Sequence, residues 1–213
     1  KGIIHMTLSV VEECIQKRAI GYDKKGDNHY DTISAFIKSM RGSDPDAAIY
    51  YLARMIYAGE DPKFIARRIV ICAAEDGGNA DPQALVVANA AASAIQFIGM
   101  PEGQIILSQA AAYVATAPKS NAAVNAIFSA LNDVKEYGIK TIPPHLQDAH
   151  YSSAGELGHG IGYKYAHNYK NHYVKQQFLP DELVGNTYYE PSDHGYEKKI
   201  REWMDFIKKN AQD

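Results

Sequence analysis

A long stretch almost without charge, between Asp81 and Asp133, most constrains what this chain can fold into. It holds only two charged residues, Glu102 and Lys119, although 22% of the 213 residues in the whole chain are charged. The stretch is rich in alanine and is interrupted by glycine and proline, so it lacks the roughly 20 consecutive apolar residues of a membrane span. Such a stretch is removed from water, either in a core or against another subunit. The sequence therefore predicts an assembly domain rather than a free-standing enzyme.

The bulk composition limits the possible partners and the compartment. The net charge is -3, so the chain as a whole does not attract nucleic acid or anionic lipid, and any such contact has to be local. Two cysteines, Cys14 and Cys72, are too few for a disulfide framework and fit a reducing compartment. We therefore expect a cytoplasmic protein without a membrane partner. Because the first residue is Lys1 and not Met, we also expect a fragment of a longer protein.

Three Asp-Pro pairs and four glycines divide the middle of the chain into helices. Each pair places an N-cap carboxylate before a proline that suits the first helical turn. The pairs are Asp44-Pro45, Asp61-Pro62 and Asp81-Pro82. C-terminal caps are expected at Gly59, Gly77, Gly99 and Gly138. These signals predict helices near 45–58, 62–75, 82–98, 103–116 and 120–137.

Apolar residues at helical spacing indicate which faces of the helices point inward. In the helix near 45–58 they are Ala48, Leu52, Met55 and Ile56, and in the helix near 82–98 they are Leu85, Ala88, Ala92 and Ile95. Two short helices are expected before residue 41, one starting at the capping box Ser9–Glu12 and one placing Ile33, Phe36, Ile37 and Met40 inward. A final helix near 194–209 places Ile200, Trp203, Phe206 and Ile207 inward. The predicted fold is an all-α, antiparallel helical array, followed by an irregular Tyr- and Gly-rich segment and a last helix.

Stripes of small uncharged polar residues follow two of these helices. One stripe is Asn89, Ser93 and Gln96, and the other is Asn121, Asn125, Ser129 and Asn132. Such stripes hydrogen-bond across a subunit interface without burying charge. Alternatively, the two helices form a central pair within one chain and the amides bond internally. For the interface hypothesis, the candidate residues are Asn89, Ser93, Gln96, Asn121, Asn125 and Asn132.

Sequence motifs for catalysis and for metal binding are absent. The chain has no G-x-x-x-x-G-K-[ST] run, which a phosphate-binding loop needs, and no C-x-x-C or H-E-x-x-H pair for zinc. Glu75 and Asp76 are adjacent, and neighbours on a helix do not face each other for acid–base work. We therefore expect no catalytic residue, no metal and no cofactor in this chain. A small helical enzyme with a Tyr- and His-lined pocket is the weaker alternative.

One tract without acidic residues, Ile161–Phe178, has the composition of a nucleic-acid contact. Its lysines alternate with rings that stack on bases. The candidate contacts are Lys164, Tyr165, His167, Lys170 and Lys175. Alternatively, the tyrosines anchor an extended segment onto the helices. A second, weaker basic pair is Arg67-Arg68, which as a pair is typical of a solvated face.

A family resemblance covers nearly the whole chain. It rests on the run GSDPDAAIYYLARMIYAGEDPKFIARRIVICAAEDGGNADPQAL, on IGMPEG and APKSNAAV after it, and on GYKYAHNY and FLPDELVGNTYYEP near the end. These residues resemble the C-terminal region of the replication-associated recombination protein A family (MgsA or RarA), which are AAA+ ATPases related to the Werner helicase-interacting protein. Two positions depart from the family pattern: Gly77 replaces an apolar residue and Ala166 replaces a proline.

The resemblance implies a fold, an assembly and a cellular role. It implies a helical domain related to the clamp-loader collar, which holds the ATPase in a homotetramer that acts at stalled replication forks. ATP and Mg²⁺ would bind in an N-terminal domain that is missing here, and the partners would be further copies of the chain, DNA and replication proteins, near the nucleoid in a bacterium. It divides the chain into the end of the AAA+ lid at 1–41, a helical oligomerisation core at 42–138, and a tail at 139–213 that packs on the core. A single-stranded DNA-binding module that uses the Lys164–Lys175 tract is the alternative function.

Overall fold

A computed structural model describes residues 7–8, 27–148 and 160–211 of the chain. The chain divides into two compact units, residues 1–120 and residues 121–213. The long elements in the described residues are all α-helices, and no β-strand occurs among them. The predicted all-α class is therefore confirmed. The helix that was predicted to begin at Ser9 lies outside the described residues.

Residues 27–120, which are the continuously described part of the first unit, form five α-helices in sequence. They are α1 Asp27–Arg41, α2 Pro45–Tyr57, α3 Pro62–Cys72, α4 Pro82–Ile98 and α5 Gly103–Thr116. A π-helical turn, Ala73–Gly77, and a 3₁₀ turn, Gly78–Ala80, connect α3 to α4. Helix α1 contributes Phe36 and Met40 to the same core as the other four helices. The unit thus includes residues that the sequence assigned to the separate region 1–41.

The three Asp-Pro pairs begin helices α2, α3 and α4 as predicted. Asp44 accepts the N–H of Ala47 at 2.9 Å, and Asp61 accepts the N–H of Lys63 at 2.9 Å. Asp81 accepts the N–H of Gln83 at 3.0 Å. These bonds satisfy amides that have no partner inside the helix, which is why the helix starts are readable from local sequence.

Alanine dominates the packing between α4 and α5. The buried residues of α4 are Ala84, Ala88, Ala91 and Ile95, and those of α5 include Leu107, Ala110, Ala111 and Ala115. Small side chains let two helices approach closely, so larger residues have to lie on other faces. The prediction of an inward Leu85 is therefore wrong, because Leu85 is 42% exposed.

The junction after α3 differs from the predicted glycine cap at Gly77. Gly77 has an ordinary negative φ of -78°, whereas Gly78 has a φ of +50°. A Cβ at Gly78 would lie 2.7 Å from the carbonyl oxygen of Ser120, so only glycine fits there. Ser120 lies close because its N–H donates to the carbonyl of Asp76 at 2.7 Å. The cap therefore depends on a residue more than forty positions away.

Asp76 ties this junction to the start of the unit. Its carboxylate accepts from Nε of Arg41 at 2.6 Å and from Sγ of Cys72 at 3.3 Å. Burial, and then the neighbouring Asp76 carboxylate, raise the pKa of the Cys72 thiol to about 12. Glu75 reaches Arg41 only at 3.4 Å and is more exposed. The two adjacent carboxylates thus have different structural roles: Asp76 makes the buried contacts, and Glu75 makes an exposed one.

The described part of the second unit, residues 121–148 and 160–211, contains two α-helices and irregular segments between them. They are α6 Ala122–Tyr137 and α7 Gly195–Lys209, with 3₁₀ turns at Pro144–Leu146, Ala166–Asn168, Lys170–His172 and Asp181–Leu183. Asp133 of α6 accepts from Nδ2 of Asn186 at 3.0 Å and from the hydroxyl of Tyr188 at 2.7 Å. Helix α6 therefore belongs to one compact unit with the irregular segment, whereas the sequence grouped it with the core at 42–138.

Helix α7 turns only part of the predicted face inward, because Ile200 is partly buried and Ile207 is buried, whereas the two predicted aromatic residues are exposed. Ile207 is buried, but Trp203 and Phe206 are 52% and 48% exposed and stack on each other with centroids 5.7 Å apart. The inward face includes the fully buried Glu197, which accepts from the hydroxyl of Tyr189 at 2.9 Å. An apolar stripe alone could not show that a carboxylate takes this inward position.

We expect Asp76→Ala to lower the free energy of unfolding by about 2–3 kcal/mol, because it leaves the buried thiol of Cys72 and the guanidinium of Arg41 without their acceptor. The matched control is Glu75→Ala, which removes only the longer and more exposed contact and should cost less than about 1 kcal/mol. Urea denaturation followed by circular dichroism measures both. Equal losses for the two variants would contradict the role assigned to Asp76.

We expect the thiol of Cys72 to be unreactive at pH 8, since a pKa raised to about 12 leaves it protonated until well above that pH. The measurement is titration with a thiol-reactive disulfide in a Cys14→Ser background, so that only Cys72 is counted. The native protein should give no reaction, and one equivalent should react in urea. Fast reaction without urea would show that Cys72 is accessible as a thiolate.

Candidate functional site

The first predicted polar stripe lies on the surface of α4. Asn89, Ser93 and Gln96 are all exposed. The alternative in which they bond inside the chain's own core is therefore not what the structure shows. Their exposure leaves them available to water or to a second molecule.

The second predicted polar stripe lies on α6 and at its N-terminal end. Asn121, Asn125 and Asn132 are exposed, and Nδ2 of Asn125 donates to Oδ1 of Asn121 at 3.3 Å. No residue of α6 is buried. A helix that buries no residue against its own chain has faces free for contact with a partner.

Large apolar side chains accompany both stripes on the surface. Phe97 is 80% exposed, Ile105 is 69% exposed and Phe128 is 65% exposed. The sequence pattern did not single out these residues, although the lack of nearby charge was the signal that could have found them. The exposed residues of α4 and α5 in the first unit, including the first stripe, are called the uncharged surface. Exposed apolar area of this kind marks an interaction site.

Lys119, one of the two charged residues in this stretch, has its charge directed inward. Its ammonium group lies 2.9 Å from the carbonyl oxygens of Val114 and Ala115 and 2.6 Å from that of Ala117. Cations are favoured at this end of a helix, where the last carbonyls lack partners. Burial lowers the pKa of Lys119. Glu102 is therefore the one charge that the stretch places on the surface.

The predicted nucleic-acid tract forms an irregular exposed segment. Tyr165 is 54% exposed, and its ring lies 5.1 Å from that of His167. Lys170 and Lys175 are exposed as well. The backbone at Lys164 is held by the amide of Gln176, which accepts its N–H at 3.1 Å and donates to its carbonyl at 2.8 Å.

The anchoring of this tract depends on an aliphatic residue more than on the tyrosines. Val174 is 2% exposed, whereas Tyr169 and Tyr173 are only partly buried. The structure thus brings the five candidate contacts onto one short segment and fixes its backbone. It leaves both a cationic and an aromatic group open to solvent.

The described residues contain neither a metal-binding cluster nor a membrane span. No three His, Cys, Asp or Glu side chains lie together there in a way that could hold a metal ion. No helix in residues 27–148 or 160–211 has both the length and the apolar character for a bilayer span.

Two family models match consecutive parts of the chain. The model for the C-terminal region of the MgsA AAA+ ATPase matches residues 42–208. The model for an AAA C-terminal domain matches residues 1–41. The two matches meet at the boundary between residues 41 and 42.

Named relatives from several bacteria match almost the whole chain. An uncharacterized AAA domain-containing protein of Mycobacterium tuberculosis is 51% identical over 95% of this chain and 45% of its own length. The replication-associated recombination protein A of Bacillus subtilis is 48% identical over 98% of this chain and 49% of its own. The protein of the same name from Escherichia coli K12 is 42% identical over 95% and 46%. The chain thus spans about half the length of these relatives.

If the exposed tract contacts nucleic acid, Lys170→Glu plus Lys175→Glu should weaken binding of a labelled oligo-dT, and the remaining affinity should depend less on salt. Removing two phosphate contacts lowers the slope of log K against log salt by about 1.4 for a single strand. Fluorescence anisotropy between low and moderate salt measures the slope. The control is Lys198→Glu plus Lys199→Glu on α7, which should not change it. An unchanged slope in the tract variant would exclude the tract as the contact.

Proposed function

Since the chain belongs to the MgsA family of AAA+ ATPases and forms the C-terminal part of such a protein, we propose that it is the family's oligomerisation domain, which assembles as a homotetramer. In this proposal, the chain functions by self-association and does not catalyse a reaction. The observation that carries it is the uncharged surface, because it combines exposed phenylalanine and isoleucine with polar side chains that lack charge.

Desolvation explains why this surface suits a second copy. Burying a charged side chain costs several kcal/mol unless it is paired, and burying a small amide that finds a hydrogen bond costs far less. Between Pro82 and Asn132 the ammonium of Lys119 is already bonded to carbonyls of its own unit. Two copies can therefore bury this surface without stripping water from a row of charges.

The proposed role in the whole protein is based on the name of the relatives. Replication-associated recombination protein A is the name of the Bacillus subtilis and Escherichia coli relatives. In our proposal, four copies of this domain arrange four ATPase modules around DNA at stalled forks, as a clamp loader arranges its subunits, together with replication proteins. The sequence has no phosphate-binding loop, so ATP and Mg²⁺ bind to a part of the protein outside this chain. In our proposal the whole protein acts in the cytoplasm, at the nucleoid of a bacterium.

A second candidate function is binding of single-stranded DNA through the Lys164–Lys175 tract. It is favoured by the exposed Tyr165 ring beside His167 and by the exposed Lys170 and Lys175. The two functions are compatible, because no residue of the tract belongs to either polar stripe.

The test of the proposed assembly is the mass in solution, measured by light scattering at tens of micromolar. We expect four times the 23.5 kDa of one chain. Ser93→Glu plus Asn125→Lys should convert the tetramer to smaller species, because an introduced charge that becomes buried costs on the order of 3 kcal/mol per site.

The matched control is Lys135→Glu, a charge change on α6 outside the uncharged surface, which should leave the tetramer unchanged. A monomeric wild-type chain would refute the assembly. A tetramer that survives the double substitution would show that assembly uses a surface other than the two stripes.

A further inference from the structure

A cavity of about 550 Å³ opens between α1 and α3 in the first unit. Helix α1 supplies Ile33, Ile37 and Lys38 to its wall, and helix α3 supplies Phe64 and Arg68. The cavity, called the α1–α3 groove, thus combines apolar and cationic groups. It shares no residue with the uncharged surface, so a ligand bound in the groove is independent of the proposed assembly.

The cationic side chains of the groove differ in whether they already form an ion pair with a carboxylate. Arg41 at its edge is paired, with Nε 2.6 Å from Asp76 and Nη2 3.4 Å from Glu75. Lys38 is exposed and forms no ion pair within the described part of the chain. The carboxylates beside the groove thus pair with Arg41 and, through Glu60 at 3.2 Å, with His29, and they leave Lys38 without an ion pair among the described residues.

Arg68 is the second cation without an acidic partner among the described residues. Its guanidinium lies over the ring of Phe64, 4.7 Å from the centroid, and its Nε is buried without a hydrogen-bond acceptor. A buried N–H of this kind is unfavourable unless an acceptor reaches it. Its neighbour Arg67 is exposed, so only one arginine of the pair lies on a solvated face as the sequence suggested for both. Arg68 has the position and the unmet bonding capacity of an anion-binding residue.

We propose that the α1–α3 groove binds a short segment of a partner protein in which a carboxylate stands next to an apolar side chain. The carboxylate bonds to Lys38 and Arg68, since a guanidinium fork and a carboxylate match in geometry. The apolar side chain packs on Ile33, Ile37 and Phe64. The cavity has the volume for one such side chain with its carboxylate.

The arrangement favours an acidic peptide over nucleic acid. Single-stranded nucleic acid needs a row of cations along its backbone and open ring faces for its bases. The groove offers two uncommitted cations, with Glu75 and Asp76 beside Arg41 at its edge. The ring of Phe64 is already covered on one side by Arg68.

The test uses a fluorescein-labelled peptide, Gly-Asp-Phe-Asp-Leu-Gly, titrated with the whole chain and followed by anisotropy. We expect saturable binding that Lys38→Glu weakens about tenfold or more, as the loss of a charge-assisted hydrogen bond does. The matched control is Lys63→Glu, an exposed lysine of α3 that does not line the groove, and it should bind as the wild type does. Circular dichroism of each variant verifies that it is folded.

Two further arms separate the possible outcomes. The Nε–H signal of Arg68 in a nitrogen–proton NMR spectrum should shift when the peptide is added, and a peptide with Asn in place of Asp should not shift it. Absence of saturable binding, equal binding of the Asn peptide, or equal weakening by Lys38→Glu and Lys63→Glu would overturn the proposal. It would also be overturned if Lys38→Glu abolished binding of oligo-dT and left peptide binding unchanged, because the groove would then be a nucleic-acid site.

Discussion

The close contact between α4 and α5 through alanine is the constraint on which the rest of the first unit depends. Ala88 on one helix and Ala110 and Ala111 on the other are almost fully buried. Larger side chains have no room at these positions, so the bulky residues lie elsewhere, some in the core, such as Ile95 and Leu107, and others on the surface. Phe97 and Ile105 are exposed as a consequence, and a surface suited to association is produced by the same packing that forms the core.

The junction between α3 and α4 fixes where this helical pair sits relative to α1. Asp76 contacts Arg41 at the end of α1 and Cys72 at the end of α3, and its carbonyl holds Ser120 just after α5. Three separate parts of the chain thus meet at one buried residue, two of them at its carboxylate and one at its backbone carbonyl. Since α1 and α3 also form the walls of the cationic groove, this carboxylate supports the proposed peptide site, which in turn is separate from the surface proposed for assembly.

Local signals in the sequence predicted the helices of the first unit, and contacts between distant residues explain most of what they missed. The carboxylates of Asp44, Asp61 and Asp81 bond to amides two or three residues away, so the helix starts could be read directly. The glycine cap at position 78 depends on Ser120, which no local pattern reveals. The outward position of Leu85 depends on how closely α5 approaches.

The candidate sites likewise divide into features that local sequence predicts and features that only the fold creates. The exposure of Asn89, Ser93 and Gln96 follows from a stripe that a single helix defines, so the sequence could predict it. Arg68 looked like half of an ordinary basic pair, because only the fold places it over Phe64 and removes Nε from water. The α1–α3 groove is formed by two helices, so neither helix alone predicts it. Which of its cations lack an ion pair depends on carboxylates from other parts of the chain.

The inward ammonium of Lys119 has a consequence for the medium in which such a protein works. The uncharged surface has its lysine turned inward onto backbone carbonyls and only Glu102 as an exposed charge, so it attracts few counter-ions, and few ions have to be expelled when two such surfaces meet. Association through this surface should then persist over a wide range of ionic strength. The affinity of exposed lysines for a polyanion, in contrast, falls as the ionic strength rises. In the proposed assembly, cohesion between subunits and attachment to nucleic acid would therefore be governed by different forces, and one could be released while the other holds.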